Sequence, residues 1–401
     1  MSNTFNPNKL SNVVALRAKE NSAYCTVGSK KHFADQLVGK RNGQKYRFVL
    51  RDTGKAYEGL AADLANDKIS LTEREIELTI RDFRVFIETN AIEGVTDVDW
   101  KKEIVEPNGQ KLANKVVSSI IASDFGKVGT CFVGSGFVPL ARAIQHIKSL
   151  TSEDVFGFID PNVQAILAAN GQQFVPVGAP EMYKKGLLGE FMGCETRSQR
   201  FLPSVTISAT AKTQYDAAVT SAYSQSNTGY DTITIGATTL TAEIKKGTPI
   251  FLNGVMAADT VGDPTAMQHA FIVLEDATPS SNSVTVKVAK IDISGEGTRD
   301  VCGEDGSNFT TSTLGNSLSV TIPEAGTYFM SVIRANGAEE FETLDKIDAA
   351  GAEYEKSDVP GFTVHQNRLV DLEKMTDYTR WDAAVLAGVV EPRAVSYALI
   401  K

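Results

Sequence analysis

The 401-residue chain has few of the residues that build covalent or metal-held scaffolds. Its four cysteines are scattered along the sequence with no CxxC spacing, which argues against a disulfide scaffold and against a structural zinc site. Its four histidines stand alone, without a second histidine, cysteine or acid at ligand spacing. We therefore expect no metal site and no cofactor.

Long hydrophobic runs and targeting signals are also absent from the sequence. No apolar run approaches the roughly 18 residues that a membrane-spanning helix needs. The first residues carry no basic segment followed by an apolar one, so we expect no secretory signal and no membrane partner. A hydrophobic content of 42% is enough for ordinary folded cores, and the length favours two or three modules over one.

Catalytic signatures are incomplete wherever the sequence suggests them. Ser135 lies between Gly134 and Gly136, but the GxSxG pattern of a nucleophile elbow is not completed. Glu339 and Glu340 are adjacent carboxylates that could in principle serve glycoside hydrolysis, yet such acids on alternating strands are far more often a solvated face. We therefore expect that the protein is not an enzyme.

Charge is distributed unevenly along the chain. Residues 1–57 hold 11 basic and 3 acidic residues, whereas the remaining residues hold 29 and 46. A basic N-terminal segment on an acidic body could contact nucleic acid, or it could contact the acidic body of a neighbouring copy. A solvated basic N-terminus fits the same distribution.

Two segments near the N-terminus alternate between apolar and charged residues with a period of two, as half-buried strands do. The polar face is basic in residues 45–52 and acidic in residues 73–81, so the two strands would attract each other as an antiparallel pair. We predict a long, projecting hairpin; an ordinary hairpin inside a globular sheet is the alternative. For its basic residues a role in protein–protein contact is favoured over sequence-specific reading of DNA. The candidate contact residues are Lys40, Arg41, Lys45, Arg47, Arg51, Lys55, Glu73, Glu75 and Glu77.

Helical periodicity and proline positions predict several helices. Residues 1–34 show little periodicity, so we expect an extended arm with a short helix around residues 13–19. Stronger signals predict helices at 107–123 and 139–150, each with proline at its start. A further helix is expected from Pro161, with Asp160 as its cap and Gly171 at its end.

Residues 204–322 differ in composition from the rest of the chain. Thr, Ser, Gly and Val dominate, and short β-like runs recur between turn-rich separators. This pattern predicts a small β domain, a barrel or a sandwich, inserted into an α+β body. After Pro323 we expect both helical and strand segments to resume, with alternating strands closing the chain in residues 343–370 and 377–400.

Several short motifs occur in an order that resembles a known family. They lie at residues 112–117 (Leu-Ala-Asn-Lys-Val-Val), 158–161 (Phe-Ile-Asp-Pro), 189–203, 245–255 and 388–394. In this order they resemble the major coat proteins of tailed phages of the P-twenty-two-like family, which have the HK-ninety-seven fold. The resemblance covers most of the chain from about residue 110 onward.

The resemblance implies an α+β, HK-ninety-seven-like capsid fold with an inserted all-β, barrel-like domain. The implied domains are an N-terminal arm (1–34), an extended hairpin loop (35–82), a peripheral domain with a spine helix (83–124), the first part of an axial domain (125–203), the inserted β domain (204–322) and closing axial and peripheral segments (323–401).

The resemblance also implies a function. The chain would be a major capsid protein that assembles with itself, as hexamers and pentamers, into the icosahedral head shell around double-stranded DNA. Expected partners are scaffolding protein, portal and packaged DNA, which the inner face contacts non-specifically. Assembly would take place in the bacterial host's cytoplasm, and the product would be the virion. The alternative is a β-rich tail or adhesin protein that binds a receptor or glycan through residues 204–322, although such a protein would not need the helix-rich block 107–170.

The inserted domain departs from the family pattern at one point. Members of the family usually carry an acidic loop near the start of this domain, which contacts a partner across a two-fold axis. In this chain Asp216 is the single acid in residues 206–230. The resemblance therefore implies that this contact is lost, shortened or moved to Asp259 and Asp263.

Overall fold

The computed structural model describes residues 10–30, 45–51, 73–90, 104–171, 190–226, 229–293, 297–315, 318–344, 353–357, 359, 361–371 and 376–401. Strands predominate and helices are interspersed among them, which confirms the mixed α+β class expected from the sequence. The chain forms two compact units. Unit 1 comprises Met1–Phe48, Glu77–Ser123 and Glu339–Val389, and unit 2 comprises Val49–Ile76, Asp124–Ala338 and Val390–Lys401.

The α-helices of the described residues are α1 (Leu10–Asn21), α2 (Ala23–Thr26), α3 (Glu106–Asp124), α4 (Val138–Leu150), α5 (Pro161–Gly171), α6 (Ala209–Asp216) and α7 (Thr311–Gly315). Three of them, α3, α4 and α5, confirm the helices predicted from proline positions and periodicity. Asp160 caps α5 as expected, because its Oδ1 accepts a hydrogen bond from the Asn162 N–H at 2.7 Å. The helix expected around residues 13–19 is longer than predicted.

The first twelve strands are β1 (Ser29–Lys30), β2 (Lys45–Arg51), β3 (Glu73–Thr79), β4 (Arg81–Asn90), β5 (Thr130–Gly134), β6 (Val155–Ile159), β7 (Glu190–Phe191), β8 (Cys194–Ser198), β9 (Ser204–Ile207), β10 (Val219–Ser224), β11 (Tyr230–Gly236) and β12 (Pro249–Leu252).

The remaining strands are β13 (Met256–Ala258), β14 (Pro264–Gln268), β15 (Phe271–Ile272), β16 (Ser283–Ala289), β17 (Val301–Cys302), β18 (Val320–Thr321), β19 (Gly326–Ala335), β20 (Glu339–Leu344), β21 (Glu353–Lys356), β22 (His365–Asp371), β23 (Thr376–Val389) and β24 (Val395–Ile400).

Unit 1 is built on a six-stranded sheet with β23 at its centre. One edge of β23 pairs antiparallel with β4, and the other edge pairs antiparallel with β22 and β20 in succession. β21 extends the sheet beyond β22, and β1 extends it beyond β20 in a parallel pairing. Trp381 lies fully buried in β23, and its indole N–H donates to Gln366 Oε1 at 2.9 Å.

The helices of unit 1 pack closely through a glycine. On α3 the stripe of Leu112, Val116 and Ile120 is buried, as its helical spacing predicted. A Cβ on Gly109 of α3 would lie 2.8 Å from the main-chain oxygen of Val14, a residue of α1. The helices approach so closely at this position that a larger residue does not fit.

Unit 2 contains a seven-stranded mixed sheet in the order β5-β24-β19-β6-β8-β7, with β9 also paired to β19. The pairs β5–β24 and β6–β8 are parallel, and β19 pairs antiparallel with β24, β6 and β9. Helix α4 packs against β5 and β24, and its Leu140 and Ile144 are fully buried. None of the described helices is long and apolar enough to cross a lipid bilayer.

Three small antiparallel sheets follow in residues 219–321 of unit 2. Their orders are β10-β11-β16, β15-β12-β18 and β14-β13-β17. β11 pairs with β16 along its whole length, and its buried residues alternate with half-buried ones, as predicted for these runs. Because residues 204–322 share unit 2 with residues 125–203, the division into compact units does not isolate an inserted domain, and the six expected domains stay predictions.

The expectation of further helices after Pro323 is wrong for the described residues. The described part of residues 324–401 holds strands β19 to β24 and a short 3-10 turn at Pro392–Ala394, and it contains no α-helix. Strands β21 to β24 occupy the two closing segments in which the sequence predicts strands. Every residue of β24 is buried, so this strand is not half-exposed as an alternating pattern would imply.

We predict that Gly109→Ala lowers the thermal stability of the protein. Alanine normally favours a helix by about 1 kcal/mol over glycine. Here the added methyl group would press on the main-chain oxygen of Val14, and overpacking against a surface that cannot yield costs about 1–3 kcal/mol. Thermal unfolding followed by circular dichroism should show a lower midpoint than wild type. The control is Lys115→Ala, an exposed change in the same helix. A higher midpoint for Gly109→Ala would contradict the close helix crossing.

Candidate functional site

The charged strands that the sequence singled out pair with each other. β2 and β3 form a two-stranded sheet of their own, which joins none of the larger sheets among the described residues. The side chains of Arg47 on β2 and Glu77 on β3 are exposed. The structure therefore has the paired strands that the alternation predicted, with at least one exposed charge on each.

The other candidate contact residues are distributed as follows. Lys45 and Arg51 are the end residues of β2, and Glu73 and Glu75 lie on β3 at the same parity as Glu77. The remaining basic candidates, Lys40, Arg41 and Lys55, lie outside the described residues. The role of all these residues in contacts between subunits stays a prediction.

Arg74, on the opposite face of β3, carries an ion pair that the sequence reading missed. Its Nη1 lies 2.6 Å from Asp300 Oδ1 and donates a second hydrogen bond to the main-chain oxygen of Thr298. The side chains of Arg74 and Asp300 are 12% and 3% exposed. Burial disfavours the Arg74 cation, but the charge and hydrogen bond of Asp300 outweigh burial, so the pKa of Arg74 lies above its ordinary value.

The segment around Asp300 is held by a network of polar contacts. The second carboxylate oxygen of Asp300 accepts from the Asp292 N–H at 2.9 Å, and the Thr298 hydroxyl donates to the Asp292 carboxylate. Arg299 donates from Nε to the main-chain oxygen of Gly262 at 2.7 Å. Both oxygens of the Asp300 carboxylate therefore have partners, as a buried charge requires.

A second buried arginine reaches the same segment from the C-terminal part of unit 2. Arg393 forms a two-bond pair with Glu391, with distances of 2.7 and 2.8 Å. It also donates to the main-chain oxygen of Gly297 at 2.8 Å. Strand β3, the segment around Asp300 and the chain before β24 are thus joined by charge-assisted hydrogen bonds.

One sequence signal for this network was available. Arg74 shares the parity of Ile76, Leu78 and Ile80, so it stands on the apolar face of β3. A charged residue at an inward position of a strand needs a buried partner. The identity of that partner could not be read from the sequence, because more than 200 residues separate Arg74 from Asp300.

The two acidic residues proposed to replace the family's acidic loop have different surroundings. Asp259 shapes the turn between β13 and β14, because its Oδ1 accepts from the N–H groups of Val261 and Asp263, each at 2.9 Å. Asp263 itself is exposed. Of the two, Asp263 is therefore the better placed to meet another molecule, and this role stays a prediction.

An open groove of about 630 Å³ lies in unit 2 between α4 and the β13–β14 turn. Arg142 and His146 line one wall, and Asp259 and Met267 line the other. The nearby hydroxyl of Ser149 donates to the main-chain oxygen of His146 at 2.7 Å and not to its imidazole. The groove therefore has mixed walls without a hydrogen-bonded nucleophile and base.

Among the described residues, the histidines and the serine considered as candidates for catalysis do not form a reactive cluster. Burial lowers the pKa of the His146 imidazole to about 4, and it does the same for His269, so both rings are neutral at pH 7. Ser135 is exposed in the turn between β5 and α4. Among the described residues, no three side chains of histidine, cysteine, aspartate or glutamate are grouped to hold a metal ion.

We predict that Arg74→Ala destabilises the monomer strongly. The substitution leaves Asp300 buried without its cation, and breaking a buried ion pair in this way costs about 3–5 kcal/mol. Urea unfolding at low protein concentration measures the loss. Arg47→Ala, an exposed arginine on the neighbouring strand, is the matched control and should change stability by no more than about 0.5 kcal/mol.

A double-mutant cycle tests the pairing itself. Arg74→Ala combined with Asp300→Ala should cost less than the sum of the two single changes, because neither partner is then left alone. Losses that add without coupling would show that the ion pair is not what Arg74 contributes.

Of the three comparisons with known proteins, the comparison with solved structures is the one that finds similar chains. No protein-family model and no curated protein matches the chain. The capsid of Helicobacter pylori bacteriophage KHP30 matches with 11% identity and a TM-score of 0.44, covering 100% of this chain and 99% of that chain. The capsid of Ralstonia phage GP4 matches with 8% identity and a TM-score of 0.43, covering 92% and 86%. A virus-like particle from Pyrococcus furiosus matches with 8% identity and a TM-score of 0.36, covering 97% of both chains. At these values the similarity does not by itself assign a function to this chain.

Proposed function

We propose that this chain is a major capsid protein, many copies of which assemble as hexamers and pentamers into the icosahedral head shell of a tailed phage. The observation that carries the proposal is the separate two-stranded sheet of β2 and β3. Three basic residues share one parity in β2, and three acidic residues share one parity in β3. The ribbon formed by the pair β2–β3 is anchored in unit 2 through the inner side chain of Arg74. Its opposite, charged face is suited to contact a neighbouring subunit.

The order of the elements along the chain supports the same proposal. The charged pair β2–β3 is followed by the 19-residue helix α3, the mixed sheet of unit 2, the small sheets of residues 219–321 and the closing strands β19 to β24. In an HK-ninety-seven-like fold these would be the extended hairpin loop, the spine helix, the axial domain, the inserted barrel-like domain and the closing segments, the last of which return to the mixed sheet through β19 and β24.

The mechanism of such a protein is geometric and electrostatic. Residues 1–57 carry an excess of basic residues and the rest of the chain an excess of acidic ones, so the N-terminal part of one copy is attracted to the body of the next. Each contact need be only modest, because closure of a symmetric shell multiplies it. The protein's role in this proposal is structural and not enzymatic.

The proposed partners follow from this role. They are other copies of the chain, a scaffolding protein and a portal during assembly in the host cytoplasm, and packaged double-stranded DNA on the inner face of the virion. Contact with DNA would be non-specific and would run through phosphates, since basic residues meeting a phosphate backbone carry no sequence information.

Electron microscopy of negatively stained samples tests the shell directly. The full chain is expressed alone and together with the neighbouring genes of its source. We expect closed particles tens of nanometres across in at least one of the two samples. Monomers or trimers in both samples would overturn the proposal. That result would favour the adhesin alternative, and the next experiment would measure whether the chain binds glycans or receptors.

Removing two basic residues from β2 tests the role of the charged ribbon. We expect Arg47→Ala/Arg51→Ala to lower the yield of particles at low salt while leaving the monomer folded, because the attraction to a neighbour's acidic surface is weakened. The control is Arg47→Lys/Arg51→Lys, which keeps the charge and should assemble at close to the wild-type yield. Particle counts and light scattering give the measurement.

Salt provides the second arm of the same experiment. At about 1 M salt the screening length falls to roughly 3 Å, so wild type should lose the part of its yield that depends on charge. If the alanine variant assembles like wild type at every salt concentration, the electrostatic part of the mechanism is wrong, whether or not shells form.

A further inference from the structure

Strand β4 leaves one of its two edges unpaired among the described residues. Along its other edge it pairs with β23 without interruption, from Arg81 opposite Val385 to Asn90 opposite Thr376. No other described strand joins β4. A ten-residue edge of this kind presents a row of main-chain donors and acceptors, and proteins usually shield such an edge from other chains.

On one face of this edge strand an exposed aromatic ring lies between two exposed charged residues of opposite sign. Arg84, Phe86 and Glu88 are exposed on one face, and Val85 and Ile87 on the other face are half-buried. Phe86 is 57% exposed, although its ring stacks on Tyr378 with a centroid distance of 5.9 Å. An edge that is unpaired among the described residues can pair with a strand of another chain, and Phe86 would then lie at the middle of the contact.

The sequence of β4 is complementary to itself. When two copies of β4 lie antiparallel with Phe86 opposite Phe86, Arg84 of each copy lies opposite Glu88 of the other. The same alignment places Val85 opposite Ile87 on the second face. In this alignment, every pair of opposite residues lies on the same face of the sheet, as an antiparallel pair requires. The main-chain groups on the outer edge of each strand can therefore form hydrogen bonds with those of the other strand.

Neighbouring alignments lack this match. A pairing centred on Val85 places Arg84 opposite Phe86 and forms no pair of opposite charges within β4. A pairing centred on Ile87 places Phe86 opposite Glu88 and forms no pair of opposite charges. The alignment centred on Phe86 is thus favoured over its neighbours by charge.

We propose that the outer edge of β4 is a contact surface for a second copy of this chain, paired antiparallel across a two-fold axis that passes beside Phe86. The contact is isologous, because the same strand serves both copies. An edge pairing alone buries less surface than the roughly 1,000 Å² of a stable isolated complex. It therefore forms when copies are concentrated or already held by other contacts. The inference does not depend on the ribbon β2–β3 or on the proposed shell.

Cysteine cross-linking tests the alignment. Opposite residues in an antiparallel pair have Cα atoms about 4.5–5.5 Å apart, which is within the range of a disulfide. Phe86→Cys should therefore form a disulfide-linked dimer under mild oxidation of the full-length protein, seen on a non-reducing gel. The native cysteines are buried and free and give little background.

The matched control is Val138→Cys, because Val138 is 58% exposed, like Phe86. We expect Phe86→Cys to dimerise at least about tenfold faster than this control. Circular dichroism confirms that both variants are folded. Equal rates for the two variants, or linkage of the introduced thiol to an unrelated protein in place of a second copy, would overturn the proposal.

Exchange of charges tests the register without relying on Phe86 alone. In the Phe86→Cys background, Arg84→Glu sets two pairs of like charges across the contact and should slow cross-linking about tenfold. Adding Glu88→Arg restores opposite charges and should bring the rate back to within about twofold. If the double exchange is as slow as the single one, this register is wrong. Particles in the same samples are counted separately by electron microscopy, so failure of this contact is distinguishable from failure of the proposed shell.

Discussion

The buried ion pair of Arg74 and Asp300 is the constraint around which a large part of unit 2 is arranged. A charged pair removed from water is tolerated only when its remaining hydrogen-bonding groups are satisfied. Here the Asp292 N–H donates a hydrogen bond to the second carboxylate oxygen of Asp300. The guanidinium of Arg74 donates a hydrogen bond to the main-chain oxygen of Thr298. The segment around Asp300 must therefore hold one conformation whenever β3 is in place.

Arg393 extends this constraint to the end of the chain. Its pair with Glu391 and its bond to the oxygen of Gly297 fix the turn that leads into β24, the strand that lies between β5 and β19 in the seven-stranded sheet. Distant parts of the sequence are joined by directional bonds in addition to apolar packing. Directional bonds of this kind favour one arrangement of a core over others that bury a similar area.

Much of the fold could be predicted from the sequence where the signal is local. Proline at a helix start, an aspartate cap before Pro161 and alternation in β2 and β3 depend on a few neighbouring residues, and each indicated its element correctly. The close crossing at Gly109, the partner of Arg74 and the turn held by Asp259 depend on residues far apart or on main-chain geometry. The strand pair β2–β3 could therefore be predicted from its sequence pattern. The buried contacts of Arg74 with Asp300, which anchor the inner face of β3, could not.

The burial of all four cysteines has a consequence for the redox behaviour of the protein. Burial raises the pKa of the Cys194 thiol to about 12 and raises the pKa of Cys131 and Cys302 as well. Oxidation and thiol exchange proceed through the thiolate, which at pH 7 is roughly one part in 100,000 of a thiol with such a pKa. Cys131, Cys194 and Cys302 are therefore protected from oxidation and from mixed-disulfide formation as long as the fold keeps them buried.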